Sequence, residues 1–173
     1  VAGSVPENPQ ASYELAVDGL VRQSRTFSYA DLQNMPQTAL TLDVQCVTGW
    51  RVPAVAWSGV LLSDLLDKVG VTDDAAAVQF GCFDGIYTES LTLEQARSSD
   101  VLVALKMQDE PVTHDHGGPV RLFVGAMYFY KSAKWLDRIT VTDKVIPGYW
   151  EERGYDVDAW VGRSNGRDDA PTV

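Results

Sequence analysis

A cluster of basic residues stands out in an otherwise acidic chain. The 173 residues have a formal net charge of -10, yet between Val120 and Arg138 the only acid is Asp137. The basic residues of this stretch are Arg121, Lys131, Lys134 and Arg138. Guanidinium groups bind phosphate through paired hydrogen bonds and lysine supplies a point charge, so the cluster indicates a bound anion. The alternative is a solvated basic patch.

The sequence around the cluster favours the anion site. In "HDHGGPVR" two glycines lie between His116 and Arg121, and glycine lets the backbone approach a ligand closely. His114 and His116 also suggest a partial metal site, but the chain has no third histidine. Hydrogen bonding is therefore the favoured role of both histidines.

Cys46 is the second feature with chemical potential. Leu40, Leu42 and Val44 alternate with polar residues, which predicts a strand with one buried face, and Cys46 is in phase with the apolar set. A buried core thiol is the simplest interpretation. The other cysteine is Cys82, and the two could form a disulfide, remain two thiols, or serve as one ligand and one core residue.

The elements that would position these residues are short. Alternating apolar residues predict a hairpin that turns at Asp18 and Gly19, and further strands follow near residues 40–46, 78–82, 101–107, 120–124 and 139–141. Short helices are predicted after Ser28, over 62–69 and after Thr92. The segment "TGWRVPAVAWSG" is predicted to be a loop. Strands mixed with short helices, without regular βα alternation, predict an α+β fold.

The chain divides into three parts. Residues 1–11 are a lead-in, residues 12–160 form one domain, and the polar residues 161–173 are expected to be a flexible tail. The negative charge excludes nucleic acid as the main partner, and no apolar run is long enough to span a bilayer. Phosphate-binding loops, the GxSxG elbow and CxxC are absent from the sequence.

Several segments, taken in order, resemble one known family. They are "CVTGW", "WSGVLLSDLL", "DHGGPVRLFV", "KSAKWLDRI" and "GYWEERGY". Together they are similar to the molybdopterin-binding domain of the sulfite oxidase fold, which includes sulfite oxidases and the periplasmic reductase of methionine sulfoxide. The resemblance covers residues 12–158 and implies a mixed β-sheet with several short helices.

The resemblance also implies a site and a cofactor. It makes Cys46 the thiolate ligand of molybdenum, and it places the cofactor against a set of residues in two later segments. This set is His116, Arg121, Phe129, Tyr130, Lys131, Ser132 and Lys134. The cluster's anion would then be the phosphate of the molybdenum-molybdopterin cofactor. Trp50 and Arg51 are the candidates for the substrate side of the metal, and Trp57 is either a third candidate or a core residue.

The implied reaction is a two-electron oxygen-atom transfer on a small S-oxide or N-oxide. The chain has no haem-binding signature, so the electron partner would be a haem-type electron-transfer protein or a membrane subunit. The resemblance implies an extracytoplasmic location, either periplasmic or on the outer face of a membrane. A monomer is expected, because the dimerisation domain of sulfite oxidases is missing.

Two departures from the family weaken a sulfite assignment. Arg51 is the only base that soon follows the cysteine, where sulfite oxidases have a basic stretch, and Leu105 stands where they have a tyrosine. The alternative function is a noncatalytic binding module with the same fold, in which Cys46 and Cys82 form a disulfide.

Overall fold

The computed structural model describes residues 4–173 as two β-sheets with short helices between and beside the strands. The strands are β1 (Glu14–Gly19), β2 (Arg25–Ser28), β3 (Thr38–Gln45), β4 (Arg51–Leu61), β5 (Ala77–Cys82), β6 (Thr88–Thr92), β7 (Val101–Met107), β8 (Glu110–Pro111), β9 (Arg121–Val124) and β10 (Leu136–Thr142). The helices are α1 (Tyr29–Asn34), α2 (Leu62–Val69) and α3 (Leu93–Ala96).

The two sheets differ in the directions of their strands. The first has the order β2-β1-β10-β5-β6 and is mixed, because β1 pairs with β10 in parallel and the other pairs are antiparallel. The second is antiparallel, with the order β3-β4-β7-β8 and with β9 paired to β7. This arrangement agrees with the predicted α+β class.

Strand β7 lies between two hydrophobic cores. Val101, Val103 and Leu105 belong to the larger core, which also includes buried residues of the first sheet and of α2. Leu102 and Ala104 point to the opposite face and pack in a smaller core with Trp57 and Phe123. The prediction that this strand is buried on both faces is confirmed.

The helices begin where the sequence signals predict. Ser28 and Thr92 each accept a hydrogen bond from the backbone N–H three residues later, and Asp31 and Gln95 return the bond in two complete capping boxes. Helix α2 buries four apolar side chains on one face, Leu62, Leu65, Leu66 and Val69, and ends at Gly70.

The predicted loop after Cys46 is wrong over most of its length, because Arg51–Leu61 is the strand β4. Pro53 suggests a loop, since proline cannot donate a ladder hydrogen bond. In the structure, Pro53 and Ala54 form a bulge opposite Asp43, where the register shifts. The Ala54 N–H donates to Asp43 Oδ1 at 3.0 Å, so a side chain replaces the missing strand partner.

The predicted hairpin forms, but its turn lies later in the chain. β1 pairs with β2 in an antiparallel arrangement, and the chain between them runs from Leu20 to residue 24. The Leu20 N–H donates to Val141 O at 2.9 Å, so the chain follows β10 past Gly19 instead of turning back there.

Residues 161–173, predicted to be a flexible tail, lie against the domain. The Thr172 hydroxyl donates to Gly125 O at 2.6 Å, and the Tyr128 hydroxyl donates to Asp169 Oδ2 at 2.8 Å. Ser164 and Thr172 are buried. The segment has no apolar periodicity that could signal these contacts, since they are made by polar groups distant in sequence. Within residues 4–173, no helix is long and apolar enough to cross a bilayer.

Gly59 is expected to be intolerant of a side chain. A Cβ at this position would lie 2.1 Å from Val103 O, which is a backbone atom of the paired strand. We predict that Gly59→Ala lowers the free energy of unfolding by about 1–3 kcal/mol, as overpacking does. In Gly81→Ala, the control on β5, the nearest atom would be the Arg138 Cβ at 3.4 Å. Urea unfolding of both variants measures the difference, and equal losses would contradict the prediction.

Candidate cofactor and active site

Cys46 lies in a five-residue turn between two paired strands. β3 ends at Gln45 and β4 begins at Arg51, so residues 46–50 join them. The Cys46 N–H donates to Trp50 O at 2.9 Å, and the Gly49 N–H donates to Cys46 O at 3.0 Å. These bonds close the turn and fix the backbone that carries the thiol.

The Cys46 turn opens onto a cavity of about 300 Å³ with an aromatic lining. The lining residues are Cys46, Val47, Thr48, Trp50, Phe129, Tyr130, Trp150 and Tyr155. Five of these eight residues are aromatic, and among the described residues no acidic or basic side chain lines this cavity. We call it the thiol cavity. Its walls suit an apolar molecule, with the Cys46 sulfur as the most polarisable group.

A second cavity, of about 230 Å³, is lined by Arg121 and Lys134, two of the four basic residues of the cluster. Its lining residues are Asp84, Tyr87, Arg121, Phe129, Tyr130, Ser132, Ala133, Lys134 and Trp135. Phe129 and Tyr130 also line the thiol cavity, so the 3₁₀ turn Phe129–Lys131 lies between the two spaces. We call the second space the cationic cavity. The structure therefore places the thiol and the predicted anion site on neighbouring cavities that share a wall.

Arg121 is the central cation of the cationic cavity. Its side chain is 2% exposed, and its guanidinium lies 5.2 Å from the Trp57 ring centre and 4.6 Å from that of Phe129. It donates to His116 O at 2.5 Å, to Ser132 O at 2.6 Å and, through Nε, to Leu122 O at 3.4 Å. Among the described residues, no carboxylate is within ion-pair distance of it.

The electrostatics of Arg121 fit an anionic group of a cofactor. Burial lowers its pKa to about 9, because a charge removed from water loses its hydration. A buried cation normally has an anionic partner, and here backbone carbonyls supply only partial charge. The phosphate of molybdopterin would provide the missing negative charge, and two guanidinium N–H groups remain for it.

Lys134 and Ser132 support the same cavity in different ways. Burial, and then the Arg121 charge, lower the pKa of Lys134, and its ammonium donates to Asp115 O at 2.7 Å. The Ser132 hydroxyl accepts from the Val124 N–H at 2.9 Å, so it ties the lining segment to β9. Lys134 is thus a second partly buried cation beside Arg121.

His116 has a different place from the one expected of a ligand-binding imidazole. Its ring is exposed, and Nδ1 lies 2.8 Å from the Thr113 hydroxyl. What reaches the cavity region is its carbonyl, which accepts from Arg121. Among the described residues, no group of three His, Cys, Asp or Glu side chains could hold a metal ion, so the partial histidine site has no support.

Lys131 does not join the cationic cavity. Its ammonium is fully buried and contacts Glu89 Oε2 at 2.8 Å and Glu151 Oε1 at 2.5 Å. The expectation that this side chain binds the cofactor is therefore not supported, because its charge faces two carboxylates. The reason is the 3₁₀ turn, which directs Phe129 and Tyr130 to the cavities and Lys131 into the protein.

The two substrate-side candidates separate in the structure. Trp50 lines the thiol cavity and is 49% exposed at its rim. Arg51 points away from that cavity, and its guanidinium bonds Gln45 Oε1 at 2.6 Å and Asp43 Oδ2 at 3.2 Å. Its predicted contact with substrate is therefore not supported. Trp57 is buried and stacks on Phe123, as the core interpretation expects.

Both cysteines are free thiols within residues 4–173, which contradicts the alternative disulfide. Cys82 is buried on β5 in the first sheet, whereas Cys46 follows β3 in the second. Burial, and then the nearby Asp84, raise the pKa of Cys82 well above its ordinary value. Cys82 is a core residue, and Cys46 is the thiol available to a ligand.

The sequence matches one protein family over most of its length. The model of the family "Oxidoreductase molybdopterin binding domain" matches residues 2–150. The chain belongs to this family. Its members are molybdenum-dependent oxidoreductases, and the predictions of an oxidoreductase with a molybdopterin cofactor are confirmed at this level.

Relatives that are named for different activities share this domain. "Uncharacterized oxidoreductase YuiH" of Bacillus subtilis is 35% identical, over 91% of this chain and 81% of that protein. "Sulfite oxidase" of Arabidopsis thaliana is 29% identical, over 83% of this chain and 45% of its own length. "Protein-methionine-sulfoxide reductase catalytic subunit MsrP" of Ralstonia nicotianae is 29% identical, over 86% and 48%. The chain thus spans about half the length of the last two.

A solved structure confirms the fold. The sulfane dehydrogenase SoxCD of Paracoccus pantotrophus superposes with a TM-score of 0.76 and 24% identity. The superposition covers 83% of this chain and 41% of the other. The predicted sulfite oxidase fold, mixed sheets with short helices, is therefore confirmed.

Several residues around the site escaped the sequence analysis. Tyr87 lines the cationic cavity, and its hydroxyl donates to Tyr130 O, while Trp150 and Tyr155 complete the thiol cavity. The last two lie in "GYWEERGY", which carries part of the family resemblance and was the available signal. No sequence signal pointed to Glu89, because a single acidic residue in a strand normally faces solvent.

The buried triad of Lys131, Glu89 and Glu151 predicts a pH-dependent stability. Two carboxylates face one ammonium, and burial raises the pKa of Glu89 from 4.5 to about 8. An acid with a raised folded-state pKa stabilises the fold below its unfolded pKa, and this contribution is lost as the pH rises through the folded value. Glu89→Gln should remove the dependence.

The measurement is urea unfolding of wild type and Glu89→Gln from pH 4.5 to pH 9. We expect the wild-type free energy of unfolding to fall relative to the variant, by up to about 1.4 kcal/mol per pH unit between the two pKa values. Glu152→Gln, at an exposed neighbour of Glu151, is the control and should follow wild type. Parallel curves for wild type and Glu89→Gln would disprove the prediction.

Proposed function

We propose that this domain uses the molybdenum-molybdopterin cofactor to take an oxygen atom from a small neutral S-oxide or N-oxide, or to pass one to the lone pair of the corresponding reduced compound, with Cys46 as the metal ligand. The observation that carries the proposal is the position of two groups on adjoining cavities. The free thiol of Cys46 faces one, and the unpaired guanidinium of Arg121 faces the other. A thiolate ligand and a phosphate partner are the two groups that such a cofactor needs.

The residues of the two cavities have separate tasks. Arg121 and Lys134 would hold the phosphate, and the turn Phe129–Lys131 would lie against the pterin between them and the metal. When bound, the cofactor supplies two-electron oxygen-atom transfer. The protein would supply the Cys46 sulfur as a ligand, a fixed cationic partner and aromatic walls that exclude water from the reacting centre.

The charge of the thiol cavity favours a neutral substrate over sulfite. A sulfite anion entering a cavity of aromatic walls would lose hydration without gaining a cationic side chain. Arg51, the nearest candidate in sequence, is held by Asp43 and Gln45. A sulfoxide carries an apolar body and one polar oxygen, which fits Trp50, Trp150 and Tyr155. The relative named as a methionine sulfoxide reductase is consistent with this substrate class.

The reaction also requires an electron partner. We propose that a haem-type protein or a membrane subunit exchanges single electrons with the domain. We propose an extracytoplasmic location, as the resemblance implies. The noncatalytic alternative loses its main support, since its disulfide does not form.

Cys46→Ser tests the assignment of the metal ligand. The protein is expressed in a host that makes molybdopterin, and molybdenum and pterin are quantified by mass spectrometry and by pterin fluorescence. We expect turnover to fall by at least about 10³-fold, because the soft thiolate is lost, while most pterin stays bound through Arg121 and Lys134. Cys82→Ser is the control, expected to keep its metal. A fully folded wild-type protein that contains neither molybdenum nor pterin would refute the proposal.

The substrate class is tested by comparing kcat/KM for methionine sulfoxide, trimethylamine N-oxide, nitrate and sulfite with dye electron donors or acceptors. We expect neutral oxides to exceed the anions. Trp50→Ala should raise the KM of the sulfoxide up to about tenfold, since aromatic contacts contribute about 0.5–1.5 kcal/mol. A preference for sulfite that survives in this variant would exclude the neutral class.

A further inference from the structure

We propose that Arg51 is a positioning residue that holds the Cys46 turn and joins it to the segment Arg167–Thr172. This inference rests on the proposed role of Cys46 as the metal ligand, but it concerns contacts that form without the cofactor. Arg51, which the sequence suggested as a substrate contact, would thus have a structural role. So would the segment Arg167–Thr172, which the sequence suggested was part of a flexible tail.

The guanidinium of Arg51 has three different partners. Nε donates to Gln45 Oε1 at 2.6 Å, Nη1 donates to Asp43 Oδ2 at 3.2 Å, and Nη2 donates to Ala170 O. Each nitrogen of the fork thus bonds a different group. Lysine has one nitrogen on a flexible stem, so it cannot span three acceptors in this planar arrangement.

Gln45 transmits this support to the turn. Its side chain is 3% exposed, and Nε2 donates to Cys46 O at 3.0 Å and to Trp50 O at 3.2 Å. One amide therefore holds both ends of the turn. The bond from Arg51 to Oε1 fixes which end of the amide faces the turn, since a flipped amide would direct its oxygen toward two carbonyl oxygens.

The segment Arg167–Thr172 supports the turn from the other side. A Cβ on Gly49 would lie 3.3 Å from Arg167 Nη2, so this guanidinium rests against the turn. Asp169 holds Arg167 through contacts of 2.6 and 3.0 Å and accepts from the Tyr128 hydroxyl at 2.8 Å. The hydrogen bonds from Arg167, Tyr128 and the nearby Arg51 charge lower the pKa of Asp169 to about 2. The segment is thus anchored by charge-assisted bonds.

These contacts hold the Cys46 turn and the segment Arg167–Thr172 rigidly together. The sulfur of Cys46 is carried by a backbone whose two ends are held by Gln45, and Gln45 is oriented by Arg51. Because this backbone is already rigid before a metal binds, Cys46 would lose less conformational entropy when it becomes a ligand. The same contacts explain why Arg51 is unavailable to substrate.

The test uses the full chain without cofactor and compares wild type, Arg51→Ala and Arg51→Lys. The rate at which Cys46 reacts with an aromatic disulfide reagent is measured, together with hydrogen exchange of amides 46–50 and 167–172. We expect both variants to raise the Cys46 rate by about tenfold or more, as the loss of charge-assisted bonds allows local opening. Exchange should increase in both segments together, and Cys82 should stay unreactive.

Arg138→Ala is the matched control, because it removes an arginine paired to Asp18 at 2.9 Å on the other sheet. It should leave both readouts unchanged. Asp169→Asn loosens the segment without touching Arg51, and it should also accelerate Cys46. If Cys46 reacts at the wild-type rate in Arg51→Ala, or if Arg51→Lys behaves like wild type in both measurements, the proposed positioning role of Arg51 is wrong. If wild type made in a molybdopterin-producing host contained no molybdenum, the proposed function would be refuted. The Cys46 rates and the hydrogen-exchange results would not be affected.

Discussion

A buried guanidinium between two aromatic rings is the contact on which the site depends. Arg121 is bonded to His116 O and Ser132 O, so it ties the glycine segment before β9 to the segment after the 3₁₀ turn. Its ring partners are Trp57 of the second sheet and Phe129 of the shared cavity wall. Because among the described residues it lacks a carboxylate, its charge remains available to an anionic ligand, which a core ion pair would not allow.

The two lysines that follow Arg121 in sequence lie in different environments. Lys134 is half-buried beside Arg121 and lines the cationic cavity, whereas Lys131 is enclosed with Glu89 and Glu151. Lys131 anchors the 3₁₀ turn to which it belongs. The other two residues of this turn, Phe129 and Tyr130, separate the two cavities. One short basic segment thus contributes both a ligand-facing charge and the internal ion pair that holds the wall in place.

The thiol cavity is built from parts of the chain that are distant in sequence. Its sulfur is presented by a strand-to-strand turn, and its aromatic walls are formed by side chains from three separate segments, near residues 50, 129 and 150–155. Aromatic residues dominate here, and Arg51, the arginine nearest to Cys46 in sequence, is held by Asp43. Substitutions in those segments would therefore change the charge around Cys46 without changing the sheets.

Local patterns in the sequence were sufficient for the class, the helices and the two-faced strand β7. Periodicity and capping act over a few residues, and so they are readable without tertiary structure. The ordered family segments added the cofactor, which the comparisons confirm.

Which individual charges face a ligand was decided only by tertiary structure. Arg51, Lys131 and Arg121 are all basic residues in the sequence. In the structure Asp43 and Gln45 hold the first, two buried acids hold the second, and only carbonyl groups hold the third. The strand at 51–61 depended on a bulge completed by Asp43, and the segment 161–173 on partners far along the chain. Such contacts join residues distant in sequence, so their outcome follows from packing and desolvation rather than from local pattern.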